Sequence, residues 1–213
     1  KHSFQKLRII DRSSLSQARL VQNPNELLKR YNWLSLENNV GHTHDFGCKI
    51  EISDESEELL ETGGGLIFAR RFLDHGEDFL IMNADILTDM NITEFVEYHK
   101  KIKDFATLAV SDRESSRKLL FNDEMILRGW LNVQTGEQRL AEFNKGFKAL
   151  AFSGIHCINP LMFDKIKRTG KFSVMEEYLD LMQTEKIHGF VHESILIDVG
   201  KPESIKEAEK YFK

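Results

Sequence analysis

From residue 48 the chain alternates between two apolar patterns: short, dense apolar runs, and longer stretches with apolar residues three and four positions apart. "CKIEIS" alternates as a half-buried strand does, and "GLIFARRFLDH" then places Leu66, Ala69, Phe72 and Leu73 at helical spacing. "DFLIMNAD" and "ATLAVSD" predict buried strands. Between them "NITEFVEYHKKIK" predicts a helix with Asn91 as its N-cap. "LLFND" and "ILRGWLN", separated by two residues, predict a hairpin whose outward turn is "VQTGEQ". "KALAFSGIHCINP" predicts a long strand, and "PLMFDKIKR" and "SVMEEYLDLMQT" predict helices. "IHGFVHES" and "ILIDVG" predict two more strands, and "PESIKEAEKYF" a closing helix with Pro202 near its first turn.

Strands alternating with helices of this length predict an α/β fold. Its Rossmann-like, mainly parallel mixed sheet is covered by helices on both faces, with an antiparallel insertion around residues 119 to 140. In such sheets ligands bind beyond the carboxyl ends of the strands. That rule selects the ends of "IMNAD", "AFSG" and "LIDVG". Residues 1–47 offer one short apolar run and one helical piece, "NELLKRYNWL", without a strand–helix–strand opening. With no repeat and no linker, residues 1–213 read as one domain whose first 47 residues are atypical.

Composition narrows the function classes. A formal net charge of −5 argues against coating a nucleic acid, which calls for a concentrated basic face. Cys48 and Cys157 lack metal-site spacing and read as reduced core residues. No apolar run reaches the roughly 18 residues of a membrane span, and no secretory h-region opens the chain. A cytoplasmic location follows as the expectation.

Candidate chemistry sits at the selected strand ends. Asp85 and Asp198 each end an apolar run, so separate strands would deliver two carboxylates to one sheet edge, a hard-oxygen pair suited to Mg²⁺. Alone, either reads first as a turn-forming Asp, and it is the combination with the Gly run and "GKPES" that favours the metal reading. Gly63, Gly64 and Gly65 allow a sharp turn into a helix, or let a base or ribose lie against the backbone. Gly154 interrupts a strand and marks a bulge or a close ligand approach. Glu142, Lys145 and Lys148 precede that strand in a polar segment, within reach of sugar hydroxyls or phosphate or simply solvated. "DRESSRK" reads as a solvated loop whose Arg113 and Arg117 are placed to meet an anion. His42 and His44 in "GHTHD" have no further ligand at metal-site spacing, so zinc is not expected.

Taken in order, "ISDESEELLETGGGL", "FLIMNADIL", "TLAVSDRESSR", "AFSGIHCINP" and "LIDVGKPESIKEAE" resemble the sugar nucleotidyltransferases, the NDP-sugar pyrophosphorylase family. The closest likeness is to its short single-domain members, over roughly residues 46 to 213. The resemblance implies the nucleotide-diphospho-sugar transferase fold. It also implies condensation of a nucleoside triphosphate with a sugar 1-phosphate, with release of pyrophosphate. By the same resemblance Asp85 and Asp198 would hold Mg²⁺, Thr62, Gly63, Gly64 and Asn83 would line the nucleotide, and Gly154, Glu142 and Lys145 would contact the sugar and its phosphate. The family's opening strand, its Gly-rich loop carrying an Arg and its Pro-Lys segment have no counterpart in residues 1–47. That departure keeps an alternative open: a non-catalytic homologue or fragment that binds a nucleotide sugar or a protein partner.

Overall fold

The computed structural model describes residues 53, 55, 58–141, 146–200 and 202–212. In chain order these form α1 (Glu61–Phe68), α2 (Arg70–Leu73), β1 (Phe79–Met82), β2 (Ile86–Thr88), α3 (Ile92–Ile102), β3 (Ala106–Ser111), β4 (Arg117–Phe121) and β5 (Leu127–Asn132). They continue with β6 (Gln138–Leu140), β7 (Lys148–Ile158), α4 (Met162–Lys165), α5 (Val174–Leu181), β8 (Ile187–Val191), β9 (Leu196–Asp198) and α6 (Pro202–Tyr211). The predicted strand "CKIEIS", Cys48 and the His42/His44 pair lie outside the described residues, except for Ser53.

Seven strands make one mixed sheet in the order β6-β5-β4-β7-β3-β8, with β1 also paired to β7. β3 and β8 pair in parallel, while β1, β3 and β4 each run antiparallel to β7, and β5 runs antiparallel to β4 and β6. Strands β1, β3, β4, β6 and β8 therefore share one direction. Among the described strands only β3 and β8 pair in parallel and the other five pairings are antiparallel, so the sheet is mixed rather than mainly parallel, because β7 and β5 run against the strands beside them. β7 can hold this position because it is long: its first residues pair with β4 and its last with β1, while β3 lies along its other side.

The core divides between the two faces. On one, Leu66, Ala69 and Leu73 from α1, the α1–α2 break and α2 meet Met162, Phe163 and Tyr178 over Leu108, Val110 and Phe121. On the other, Phe95 and Val96 of α3 cover Ala109, Ile155 and Cys157. All six residues of β3 are buried, as a central strand with helices on both sides requires. The fully buried Tyr178 and Phe95 each contribute about 1.5–3 kcal/mol through the apolar surface they remove from water. Cys157 is a free, buried thiol that burial pushes up to about 12, so it stays protonated and inert. The helix α3 begins as its sequence predicts, with the Asn91 side chain accepting the Glu94 amide at 3.2 Å.

Two departures bear on the site. The helix predicted from Gly65 begins at Glu61 instead and carries Gly63, Gly64 and Gly65 inside it, all buried. "DFLIMNAD" and "ILIDVG" do not end as long strands of the main sheet. β1 stops at Met82, a turn follows, and the three-residue β2 then pairs with the three-residue β9 in a separate antiparallel ribbon. Leu87, Ile197 and Val199 of this ribbon pack with Ala208 of α6, while Ile86 packs with Ala109 and Ile155 on the main sheet. Among the described residues no helix is long and apolar enough to cross a membrane.

Candidate active site

The site is built where β1 leaves the sheet. The Asn83 amide donates to the Gly154 carbonyl at 2.8 Å, and the Ile86 amide closes a turn on the Asn83 carbonyl at 3.2 Å. This turn carries Asp85 out of β1 and starts β2. In the ribbon Ile86 is the register partner of Asp198, and the Val199 amide donates to the Asp85 carbonyl at 2.8 Å. Asp85 and Asp198 thus stand on adjacent chains within one residue of register. The structure brings together the two carboxylates that the apolar runs pointed to, on the ribbon rather than on the edge of the main sheet.

Their electrostatics agree with that placement. Burial raises the Asp85 carboxyl above its ordinary value, the charge of Asp198 raises it further, and a backbone hydrogen bond offsets only part of this. Asp198 is exposed, and its Oδ1 accepts the Gly200 amide at 2.8 Å, which fixes the side chain over the turn into α6. Among the described residues neither Asp85 nor Asp198 makes an ion pair, and no group of three or more His, Cys, Asp or Glu converges as a metal cage. Two neighbouring carboxylates without a cation repel each other. A hard divalent ion that takes one or two protein carboxylates and fills its remaining positions with water and phosphate oxygens fits this donor set.

Gly154 occupies the bulge of β7. The register of β3 against β7 shifts between Leu108 and Val110, so that Ser153, Gly154 and Ile155 lie opposite Ala109. Gly154 has φ +72°, and a Cβ there would lie 3.1 Å from Asn83 Nδ2 and 3.1 Å from Ile86 Cγ1. Glycine is required twice over, by the left-handed backbone and by the close approach of the Asp85 turn. Asn83, Asp85, Gly154 and Asp198 therefore belong to one place.

The triple glycine belongs to another. Gly63 and Gly64 amides donate to the Phe172 carbonyl at 2.9 and 3.3 Å, and Thr62 Oγ1 accepts the Val174 amide at 3.0 Å. A Cβ on Gly63 would fall 2.3 Å from the Phe172 ring, and one on Gly64 2.2 Å from the Gly170 carbonyl oxygen. What comes close to Gly63 and Gly64 is the protein's own chain ahead of α5, and what comes close to Gly65 is the Glu55 carboxylate. Glu142 and Lys145 lie outside the described residues.

Several further groups stand at this edge, among them the Arg113 singled out in "DRESSRK". Asp89 Oδ1 accepts the Ile195 amide at 2.8 Å and ties the end of β2 to the start of β9. Arg113 Nη2 donates to the Phe152 carbonyl at 2.9 Å, which lays its guanidinium over the β3–β7 edge. Ser153 and His192 form a buried hydrogen-bonded pair beside Gly154, with Oγ and Nε2 separated by 2.8 Å. A serine directly before a strand-breaking glycine was the one clue available.

Comparison with known proteins agrees with this architecture. A family model described as nucleotidyl transferase matches residues 4–119, and so begins upstream of the motifs that carry the resemblance. An N-acetylmuramate alpha-1-phosphate uridylyltransferase of Neisseria meningitidis is 26% identical over 186 residues, 86% of this chain and 77% of that protein. Mannose-1-phosphate guanylyltransferase 1 of Arabidopsis thaliana is 27% identical over 165 residues, 74% of this chain. The chain spans only 44% of that relative's length. Among solved structures, HddC from Yersinia pseudotuberculosis, complexed with GMP-PN, superposes with a TM-score of 0.64 at 18% identity, covering 84% of this chain and 74% of its own. A UTP-bound UGPase from Acinetobacter baumannii superposes with a TM-score of 0.64 at 10% identity, covering 94% of this chain and 73% of its own. At these identities the two structures establish the shared fold.

Proposed function

Because the chain belongs to the nucleotidyl transferase family, we propose that it joins a sugar 1-phosphate to a nucleoside triphosphate, releasing pyrophosphate and forming a nucleotide sugar. The observation that supports this most is the pairing of Ile86 with Asp198, which sets Asp85 and Asp198 side by side next to the Gly154 bulge. In this reading Asp85 and Asp198 hold Mg²⁺, and the nucleotide and sugar phosphate meet in front of the ribbon. A divalent ion bound there supplies positive charge to phosphate oxygens that would otherwise repel one another.

The reaction places modest demands on the side chains. An oxygen of the sugar phosphate attacks the α-phosphorus, the bond from that phosphorus to the bridging oxygen of the β-phosphate breaks, and pyrophosphate departs. The attacking phosphate is already an anion at neutral pH, so no strong base is required. The work is to align two anions and hold them there. Asn83 and Gly154, joined through the Asn83 amide, present backbone and amide groups to the substrates. Arg113, held over the same edge, adds a positive charge at its rim. Thr62, exposed beside the buried Gly63 and Gly64, is our proposed contact to the nucleotide, and Glu142 and Lys145 our proposed contacts to sugar and phosphate. Small phosphorylated substrates of this kind suit a cytoplasmic enzyme.

The test is pyrophosphate release with Mg²⁺, a panel of nucleoside triphosphates and several sugar 1-phosphates, run beside Asp85→Ala and Asp198→Ala. Turnover in the parent chain that both substitutions abolish supports the transferase. Binding of a nucleotide sugar with no turnover for any substrate pair would replace it with a binding role.

A further inference from the structure

Three buried polar side chains meet at the carboxyl ends of β3 and β8 and at the β7 bulge. Ser153, Ser111 and His192 are 1%, 8% and 7% exposed. Ser153 Oγ lies 2.8 Å from His192 Nε2. β3 and β8 pair in parallel with Val110 opposite Val191, and the His192 amide donates to the Val110 carbonyl at 3.0 Å, so His192 stands beside Ser111 at the next register position. Yet His192 Nδ1 and Ser111 Oγ have no hydrogen-bond partner among the described residues. Buried polar atoms are rarely left this way in a finished core. Here two of them share the sheet edge at which α/β proteins take their ligands.

The surroundings connect this cluster to the Asp85 turn. Ser153 directly precedes Gly154, against which Asn83 and Ile86 pack. Ser111 lies two residues beyond Ala109 on the same face of β3, and Ala109 packs in one cluster with Ile86. Burial lowers the proton affinity of His192, the charge of Asp89 raises it and that of Arg113 lowers it, with a net downward shift. The ring is therefore neutral at neutral pH. A neutral imidazole offers one donor and one acceptor, and a serine hydroxyl offers both. That set matches a hydroxyl group, which also donates and accepts, better than it matches the dianionic phosphate of a phosphomonoester, which only accepts.

We propose that His192, Ser111 and Ser153 form a hydroxyl-recognition subsite for the sugar 1-phosphate, with His192 Nδ1 and Ser111 Oγ as the contact atoms and Ser153 positioning the imidazole ring. This rests on the transferase reading for the class of ligand, and its test does not depend on turnover.

The full chain, labelled at its histidine rings, is titrated with a panel of sugar 1-phosphates that includes glucose and mannose 1-phosphate, and separately with inorganic phosphate. Comparison with His192→Gln assigns the His192 ring resonances. The expected result is a shift of the His192 ring nitrogens with a sugar 1-phosphate and none with inorganic phosphate. Ser111→Ala and Ser153→Ala should each weaken that binding about five- to tenfold, the effect of one hydrogen bond. A His192 ring silent to every sugar phosphate, an equal response to inorganic phosphate, or unweakened binding by both serine variants would overturn the subsite. A sugar-dependent shift without pyrophosphate release would keep the subsite and end the transferase reading. Turnover with a silent His192 would do the reverse.

Discussion

Two acidic regions of this molecule have opposite electrostatics. At the surface of α5, Asp180 accepts hydrogen bonds from both Arg139 and Arg168, the latter through Nε at 3.1 Å, and Arg168 also lies 3.3 Å from Glu176 and 3.6 Å from Glu177. Partial burial pushes the Asp180 carboxyl up, but the hydrogen bonds and charges of the two arginines outweigh it and hold the group below its ordinary value. At the ribbon, burial and the neighbouring Asp198 drive Asp85 the other way. The fold supplies the cations for one set of carboxylates and leaves the other set facing its own like charge. At neutral pH a protein gains no stability from the second arrangement, in keeping with the metal-binding role proposed for it.

The comparison can be broken most decisively by deleting a ribbon carboxylate. Asp198→Ala, or Asp85→Ala, should lower pyrophosphate release about 10²- to 10³-fold or more, with a melting temperature close to that of the parent; a collapse of the fold instead would make the pair structural. Next in size, Arg168→Ala should destabilise the chain by about 1–2 kcal/mol in urea unfolding, because Glu177, only 3% exposed, loses the cation beside it. Asp180→Asn should cost less, about 0.2–1 kcal/mol for a half-exposed pair. Since the folded-state affinity of Asp180 for its proton is lowered, that contribution is present above the unfolded carboxyl value and fades as the pH falls through the folded one. The difference between variant and parent should therefore shrink in acid.

The smallest effect carries the opposite sign. The raised proton affinity of Asp85 means that its contribution to stability is present in acid and lost as the pH climbs through the folded value. At neutral pH without divalent ions, Asp85→Asn should raise the melting temperature by about 1–3 °C, and the gain should vanish in acid. Added Mg²⁺ should stabilise the parent and leave the variant unchanged. Equal responses of both would separate Asp85 from metal binding.

Glycine shows what could and could not be read from the chain alone. Gly154 was legible because it breaks an otherwise continuous apolar strand, and the structure gives it the predicted bulge with φ +72°. Gly63 to Gly65 were equally visible as an anomaly. Gly65 faces the Glu55 side chain, but the partners of Gly63 and Gly64, the backbone and ring of residues 170 to 172, lie more than a hundred positions away, and no local pattern announces such a contact. The same distance hid the ribbon. Asp85 and Asp198 could be chosen because each ends an apolar run, but β2 and β9 are three residues each, too short for a periodicity of their own. Ser111, Ser153 and His192 were missed because a lone serine or histidine at a strand end is unremarkable until the sheet order sets the three together.

The ribbon also orders events during synthesis. Asp85 leaves the ribosome 113 residues ahead of Asp198, and β1 must likewise wait for the far end of β7, through Ile158, before its edge is paired. At about 5–20 residues per second the first carboxylate stands without its partner for roughly 6–23 s. The central sheet can close around β3 and β7 well before β9 emerges. The centre of the proposed chemistry is then completed only after the central sheet, and a nascent chain halted just short of residue 196 would carry that sheet with only half of the carboxylate pair.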